Sequence, residues 1–264
     1  MDPAGSRHTA ATWIGNTVSD GFNQGQPGVR PPRHASLRTP PVTFAHRGAR
    51  AHAPENTIES FELAVRLGAS GLESDVFVTA DGIPVLDHGG EFGPRFRRRP
   101  IKELRREQLP GHVPSLGELY EAIGTAFDLS LDVKDAAAFD ATVAAARAVG
   151  AESMLWLCHP DIDQLVRWRT QTDAKLVNSP GRKKIDEGVE RRSARLAQLG
   201  IDALNRPGND WNAGQVALVH RFDLMALGWD AQQHRQITAL IDMGIDGLYS
   251  DHVDRMSECM AQFF

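Results

Sequence analysis

The chain has 264 residues, 41% apolar and 24% charged, with a formal net charge of -5. That balance is ordinary for a soluble globular protein with a full core. It argues against nucleic acid as the main partner, because such domains carry a strongly basic face; a small anionic substrate responds to local charge and stays open. Residues 1 to about 40 are rich in Gly, Pro, Ser, Thr, Asn and Arg and show no sustained period, which predicts a flexible or disordered N-terminal arm ahead of a domain over residues 41–264. "VTFAH" (Val42 to His46) predicts the first strand. Asn56 with Glu59 three residues on predicts a capped helix start, with Ile58, Phe61 and Val65 at helical spacing and Gly68 ending it. "GLESDVFV" (Gly71 to Val78) predicts strand two, and Asp81-Gly82 a tight turn returning toward His88. Gly89 to Gly111 holds little periodic text and reads as an insertion.

Beyond the insertion, "FDLSLDVK" (Phe127 to Lys134) alternates cleanly, and "SMLWLC", "AKLVNS", "IDALN", "DLMALGW" and "GLYSD" follow as strands separated by helical text. Eight strands, most followed by a helix, predict parallel pairing with crossover helices and a closed (β/α)8 TIM-type barrel. A doubly wound open sheet is the alternative, but the Gly-rich phosphate loop it normally carries is missing. Cys158 and Cys259 cannot form a disulfide framework and read as buried reduced thiols. No apolar run is long enough to span a bilayer, and the N-terminus lacks a secretory pattern, so a cytoplasmic location is expected.

In such a barrel the reactive groups lie at the C-terminal ends of the strands. His46 ends strand one. Glu73 and Asp75 are two apart on strand two and share a face. On strand three Phe127, Leu129, Leu131 and Val133 form the face for the helices, while Asp128, Ser130, Asp132 and Lys134 point inward. Glu73, Asp75 and Asp132 near one mouth need a cation, and oxygen donors suit one divalent ion, Ca²⁺ or Mg²⁺; Lys134 is the competing source of positive charge. His46 and His88 titrate near neutrality and suit general acid and base. Arg47 offers a fork for phosphate oxygens. Together these groups point to cleavage of a phosphate ester.

The stretch "AHRGARAHAPENTIESFELAVRLGASGLESDVFVTADGIPVLDH" resembles the signature of the glycerophosphodiester phosphodiesterases, among the phospholipase C-like phosphodiesterase barrels. Its His-Arg-Gly, Pro-Glu-Asn-Thr, Glu-x-Asp and Thr-x-Asp-Gly-x-Pro-Val blocks occur in the family's order, and "PSLGELYEAI", "LSLDVK" and "GIDGLYSD" resemble later ones. The resemblance implies a (β/α)8 barrel, a divalent metal (Ca²⁺ or Mg²⁺, with Mn²⁺ the other candidate) and hydrolysis of glycerophosphodiesters to sn-glycerol 3-phosphate and an alcohol. It implies His46 and His88 as the acid/base pair working through a cyclic phosphate. Glu73 and Asp75 match its metal ligands, with Asp132 where the family usually has Glu, and Arg47 matches a phosphate contact. Glu55 matches an acid that lies at the site and is a further ligand candidate. Lys134 would balance phosphoryl charge, and Trp229 would offer a flat wall to the glycerol carbons. Gly89 stands where an Asp usually follows the second histidine. Neighbouring readings are a lysophospholipase D-like or phosphoinositide-cleaving enzyme and a non-catalytic phosphate-ester-binding barrel.

The remaining candidates are basic runs. "RFRRRP" (Arg95 to Pro100) with Lys102, Arg105 and Arg106 reads as a solvated loop or as a weak contact with an anionic membrane surface. "GRKK" (Gly181 to Lys184) is a second candidate for the same rim. His52, His112, His159 and His220 show no partner pattern.

Overall fold

Eight parallel strands pair in a ring, in the computed structural model, which describes residues 30–182 and 185–264. The first part of the chain supplies β1 (Val42–His46), α1 (Ile58–Arg66), β2 (Gly71–Val78), β3 (Pro84–Leu86), β4 (Glu91–Phe92), β5 (Arg99–Pro100) and α2 (Leu116–Ile123). Then come β6 (Asp128–Val133), α3 (Ala138–Ala148), β7 (Leu155–His159), α4 (Ile162–Arg169), β8 (Lys175–Asn178) and α5 (Gly188–Gln198). The last third adds β9 (Ala203–Pro207), α6 (Ala213–His220), β10 (Met225–Trp229), α7 (His234–Asp242), β11 (Gly247–Ser250) and α8 (Val253–Met260). Neighbours run β1-β2-β6-β7-β8-β9-β10-β11, and β1 pairs with β11 to close the barrel. This is the TIM-type (β/α)8 fold that the alternation predicts.

Two apolar layers hold it. Leu129, Leu131 and Val133 of β6 join the layer between strands and helices, as the period of two requires. Inside the ring Phe44 stacks on Tyr249 at 4.6 Å and meets the edge of Trp156 at 5.6 Å. The turn at Asp81-Gly82 returns β3 antiparallel to β2, and the predicted insertion folds as the β4–β5 hairpin over its own cluster of Val85, Ile101, Leu104, Leu109 and Val113. Both cysteines are buried and free. No helix among the described residues is long and apolar enough to cross a membrane.

Two expectations shift in detail. The cap of α1 is Thr57, whose side chain accepts from the Ser60 N–H, a contact of a kind that contributes about 1 kcal/mol. Asn56 sits one residue earlier with φ 56° and is spent on tertiary structure: its Oδ1 accepts from Ser74 Oγ at 2.8 Å. The arm expected over residues 1–40 falls, for residues 1–29, outside the described residues. Residues 30–40 lie against the barrel. Asp246 Oδ1 accepts from Ser36 Oγ at 2.7 Å and from the Leu37 N–H at 2.7 Å, and Arg38 pairs with Asp128 at 2.5 Å. Asp128 begins β6 and Asp246 precedes β11, so this anchor grips the end of the barrel opposite the mouth.

Candidate active site

β1 delivers His46 at its C-terminal end, and the chain then turns through Arg47 at φ 53° and Gly48 at φ 80°. A side chain at Gly48 would put its Cβ 2.8 Å from the Ser60 carbonyl carbon, so the turn needs glycine. Arg47 is held in the left-handed region because its N–H donates to Glu73 Oε2 at 2.9 Å while its carbonyl accepts from the Asn56 N–H at 3.0 Å. The family-like His-Arg-Gly triplet thus has a mechanical use: it bends the chain so that the Arg47 N–H meets Glu73 while its guanidinium turns to Asp75 and Glu55.

Parallel register builds the acidic cluster. His46 is the register partner of Glu73, and Asp75 that of Asp132. Glu73, Asp75 and Asp132 each present a carboxylate oxygen, and these oxygens lie within 4.8 Å of one another. Lys134 donates to Asp75 Oδ1 and to Asp132 Oδ2, both at 2.8 Å. Glu73 is left out of that arrangement. It is 6% exposed, and among the described residues no lysine or arginine side chain reaches it; its one ion-pair contact is His46 Nε2 at 3.8 Å. Burial pushes the Glu73 carboxyl up to about 7, with Asp75 and Asp132 adding to the rise and His46 opposing it. Three close carboxylates, served by one lysine, make an oxygen-only donor set with negative charge to spare. They fit a hard divalent ion.

Two imidazoles attach to this cluster. His46 Nδ1 meets Asp251 Oδ1 at 2.5 Å, and His88 Nδ1 meets Asp75 Oδ2 at 2.9 Å. A carboxylate at Nδ1 assigns the proton there, which leaves Nε2 of each ring to accept or deliver one. Burial works to lower the His46 pKa, but the Glu73 charge and the Asp251 hydrogen bond outweigh it and hold it above the ordinary histidine value. His88 follows β3 and its side chain is half exposed. Arg47 turns its Nε toward Asp75 Oδ2 at 3.6 Å, and that buried Nε has no hydrogen-bond partner.

The remaining predicted residues divide. Trp229, at the end of β10, lines a cleft of about 630 Å³ together with His46, Arg47, Glu73, Asp75, Asp132 and Lys134. Arg182 lies 4.8 Å over the Trp229 ring, and Lys183 and Lys184 of the same basic run fall outside the described residues. Glu55 is not brought into the acidic group: its Oε2 accepts from Arg47 Nη1 at 3.0 Å and from Arg50 Nε at 2.7 Å. Two guanidiniums already use that carboxylate, which makes Glu55 a brace for Arg47. Sequence reasoning passed over Asp251, Arg50, Asn205 and His159, all of which line the cleft. Asp251 and His159 stand at strand ends, the signal that singled out His46, and applying the strand-end rule uniformly would have found them. At the tip of the β4–β5 hairpin Phe96 is 93% exposed among Arg95, Arg97 and Arg98, none of which makes an ion pair among the described residues.

The family model for glycerophosphoryl diester phosphodiesterases matches residues 46–118, the stretch that begins with His46 and carries Arg47, Glu55, Glu73, Asp75 and His88. Over that stretch the chain is similar to the glycerophosphodiester phosphodiesterase family. It is 51% identical over 77 residues to mouse glycerophosphodiester phosphodiesterase domain-containing protein 4, taking in 29% of this chain and 12% of that protein. To the glycerophosphodiester phosphodiesterase of Caldanaerobacter subterraneus it is 36% identical over 109 residues, 35% of this chain and 45% of that protein. The shared part is thus less than half the length of either relative. In three dimensions the chain matches an Oleispira antarctica phosphodiesterase solved with the product sn-glycerol-3-phosphate, with TM-score 0.72 and 21% identity over 84% of this chain and 97% of the other. That likeness shows the barrel.

Proposed function

We propose that this protein hydrolyses glycerophosphodiesters to sn-glycerol 3-phosphate and an alcohol, with His46 and His88 as the proton carriers. The observation that carries the reading is the attachment of two imidazoles, each anchored at Nδ1 by a carboxylate, to one acidic cluster in the cleft. Glu73, Asp75 and Asp132 would hold a divalent ion, Ca²⁺, Mg²⁺ or Mn²⁺, which when bound acts as a Lewis acid on phosphoryl oxygen. The family-model match and the product bound by the Oleispira protein support the substrate class.

The chain's own residues then have defined work. One Nε2 takes the proton of a substrate hydroxyl next to the phosphorus, and that oxygen closes a cyclic phosphate. The other Nε2 gives its proton to the departing alkoxide. Water opens the ring with the two roles exchanged. Arg47, whose buried Nε lacks a partner, and Lys134 would face the phosphoryl oxygens as their charge grows. Trp229 would cover the glycerol carbons. The test is incubation of the purified protein with glycerophosphocholine, glycerophosphoethanolamine and a lysophospholipid, with and without Ca²⁺, Mg²⁺ or Mn²⁺. Release of sn-glycerol 3-phosphate from the first two is expected; silence across the panel defeats the reading.

Asp251 is a positioning residue in this scheme. Asp251→Asn keeps the shape but loses the charge at His46 Nδ1, so kcat falls roughly 10- to 100-fold with a small change in KM. The direction of the pH effect also follows. Asp251 is one of the groups holding the His46 pKa up, so its neutralisation lowers that pKa, and the limb of the rate profile that reports His46 moves to lower pH. A profile that stays in place removes Asp251 from the scheme.

The hairpin extends the proposal to the surface on which the enzyme works. Phe96 and its flanking arginines would rest on an anionic bilayer, each cation contributing about 1 kcal/mol there. Co-sedimentation with phosphatidylserine vesicles at low salt is expected to fall for Phe96→Ser combined with Arg95→Ser and Arg97→Ser. Equal binding by that variant and the parent counts against the contact.

A further inference from the structure

A second cluster of ligand-type side chains lies outside the cleft. The loop after β1 and the loop before α8 are tied together, with the Ala51 N–H donating to the Asp251 carbonyl at 3.2 Å. Within them the His52 N–H donates to the Ala49 carbonyl at 2.8 Å, and the His252 N–H to Ser250 Oγ at 3.1 Å. Both histidines therefore leave fixed backbone. His52, His252 and Asp254 each offer one ligand atom, and these atoms lie within 4.8 Å of one another. His52 Nε2 is 3.0 Å from Asp254 Oδ1, close to the roughly 3.3 Å that separates two ligands of a tetrahedral ion with bonds of about 2 Å. The two imidazoles stand nearly perpendicular, 81° apart with ring centroids at 6.1 Å. None of the three lines the cleft.

We infer that this cluster is a second cation site, selective for a borderline transition ion of the Zn²⁺ class. Two imidazole nitrogens and one carboxylate oxygen suit such an ion, with water completing the tetrahedron. The three carboxylates in the cleft are all hard oxygen donors and sort Ca²⁺ and Mg²⁺ instead. An ion at the rim would clamp the segment bearing Arg50 to the segment bearing Asp251, which contacts His46. The site is thus a strap across the mouth, separate from the chemistry.

The experiment uses the full chain, stripped with chelator, in a Glu73→Gln background that cripples the cleft site. Co²⁺ is titrated while the visible absorption of four-coordinate, imidazole-bound Co²⁺ is followed, and Zn²⁺ is then added to displace it. The background protein is expected to bind one Co²⁺ with that band and to exchange it for Zn²⁺. Adding His52→Ala or His252→Ala is expected to weaken binding by about 100-fold and to abolish the band; loss of a mere outer-shell partner costs about 10- to 100-fold and leaves the band in place. Asp254→Ala removes the third donor and serves as the second variant should a histidine variant fail to fold, with the same weakening expected. A band that persists in both histidine variants overturns the inference, as does a Glu73→Gln protein that gives no band.

Discussion

On the proposed function, His46→Ala and His88→Ala are each expected to lower the rate of glycerophosphodiester hydrolysis by about 10²- to 10⁴-fold, the range a positioned proton carrier contributes. Both proteins stay folded. In His46→Ala, Asp251 keeps Arg50 as a partner at 3.3 Å; in His88→Ala, Asp75 keeps Lys134 at 2.8 Å. Glu73 loses its one ion-pair contact in His46→Ala and keeps the Arg47 N–H at 2.9 Å, and with its carboxyl already raised to about 7 it takes up a proton rather than remaining an unpaired buried charge. The two losses also do not add. The two rings act in the same step, one accepting and the other delivering a proton, so the double variant is expected to sit near the slower single variant. Steady-state kinetics and a thermal melt of the three proteins check this. Near-normal rates in both single variants would remove the histidines from the chemistry, and a collapsed melt would turn their effect into one of stability.

The barrel was legible because its signal is local. Alternation in "FDLSLDVK" and helical spacing after Thr57 depend on residues a few positions apart, and parallel strands joined by helices leave little choice of closure. The placement of Glu73, Asp75 and Asp132 on one wall followed from the same period of two, once β2 and β6 pair in parallel. What escaped depends on closure. Nothing near Asp251 says that it faces His46; the pairing of Ala45 with Ser250 between the first and last strands brings them together. Asn56 reads as a cap by its type, yet Ser74, on the neighbouring strand, claims its side chain and passes the cap to Thr57. Glu55 resembles a ligand in sequence, and two arginines from its own turn take it. The grip of Ser36 and Arg38 on Asp246 and Asp128 links residues 210 and 90 positions apart, beyond any window of local pattern.

Glu73→Gln separates a metal centre from an ordinary ion-pair network, because the two predict opposite signs for stability. Hydrolysis falls more than about 100-fold in either case if the cleft is the site, as one of the three carboxylates loses its charge. In chelator, however, the variant is expected to melt higher than the parent. Burial, Asp75 and Asp132 raise the Glu73 carboxyl above its unfolded value, so its ionised form disfavours the folded state. The Glu73 contribution to the parent's stability is therefore greatest below the ordinary carboxylate range and is lost as pH rises through about 7, while the neutral amide escapes that loss. At pH 8 the gain is on the order of 1–3 kcal/mol. Adding Ca²⁺ or Mg²⁺ reverses the order, since the ion stabilises the parent by mass action and binds the variant less well. If Glu73 were instead a structural partner of His46 and the Arg47 N–H, its neutralisation would lower the melt in chelator, and added cation would leave the two proteins in the same order. Melts at pH 8 with chelator and with each ion, paired with activity, decide between the two.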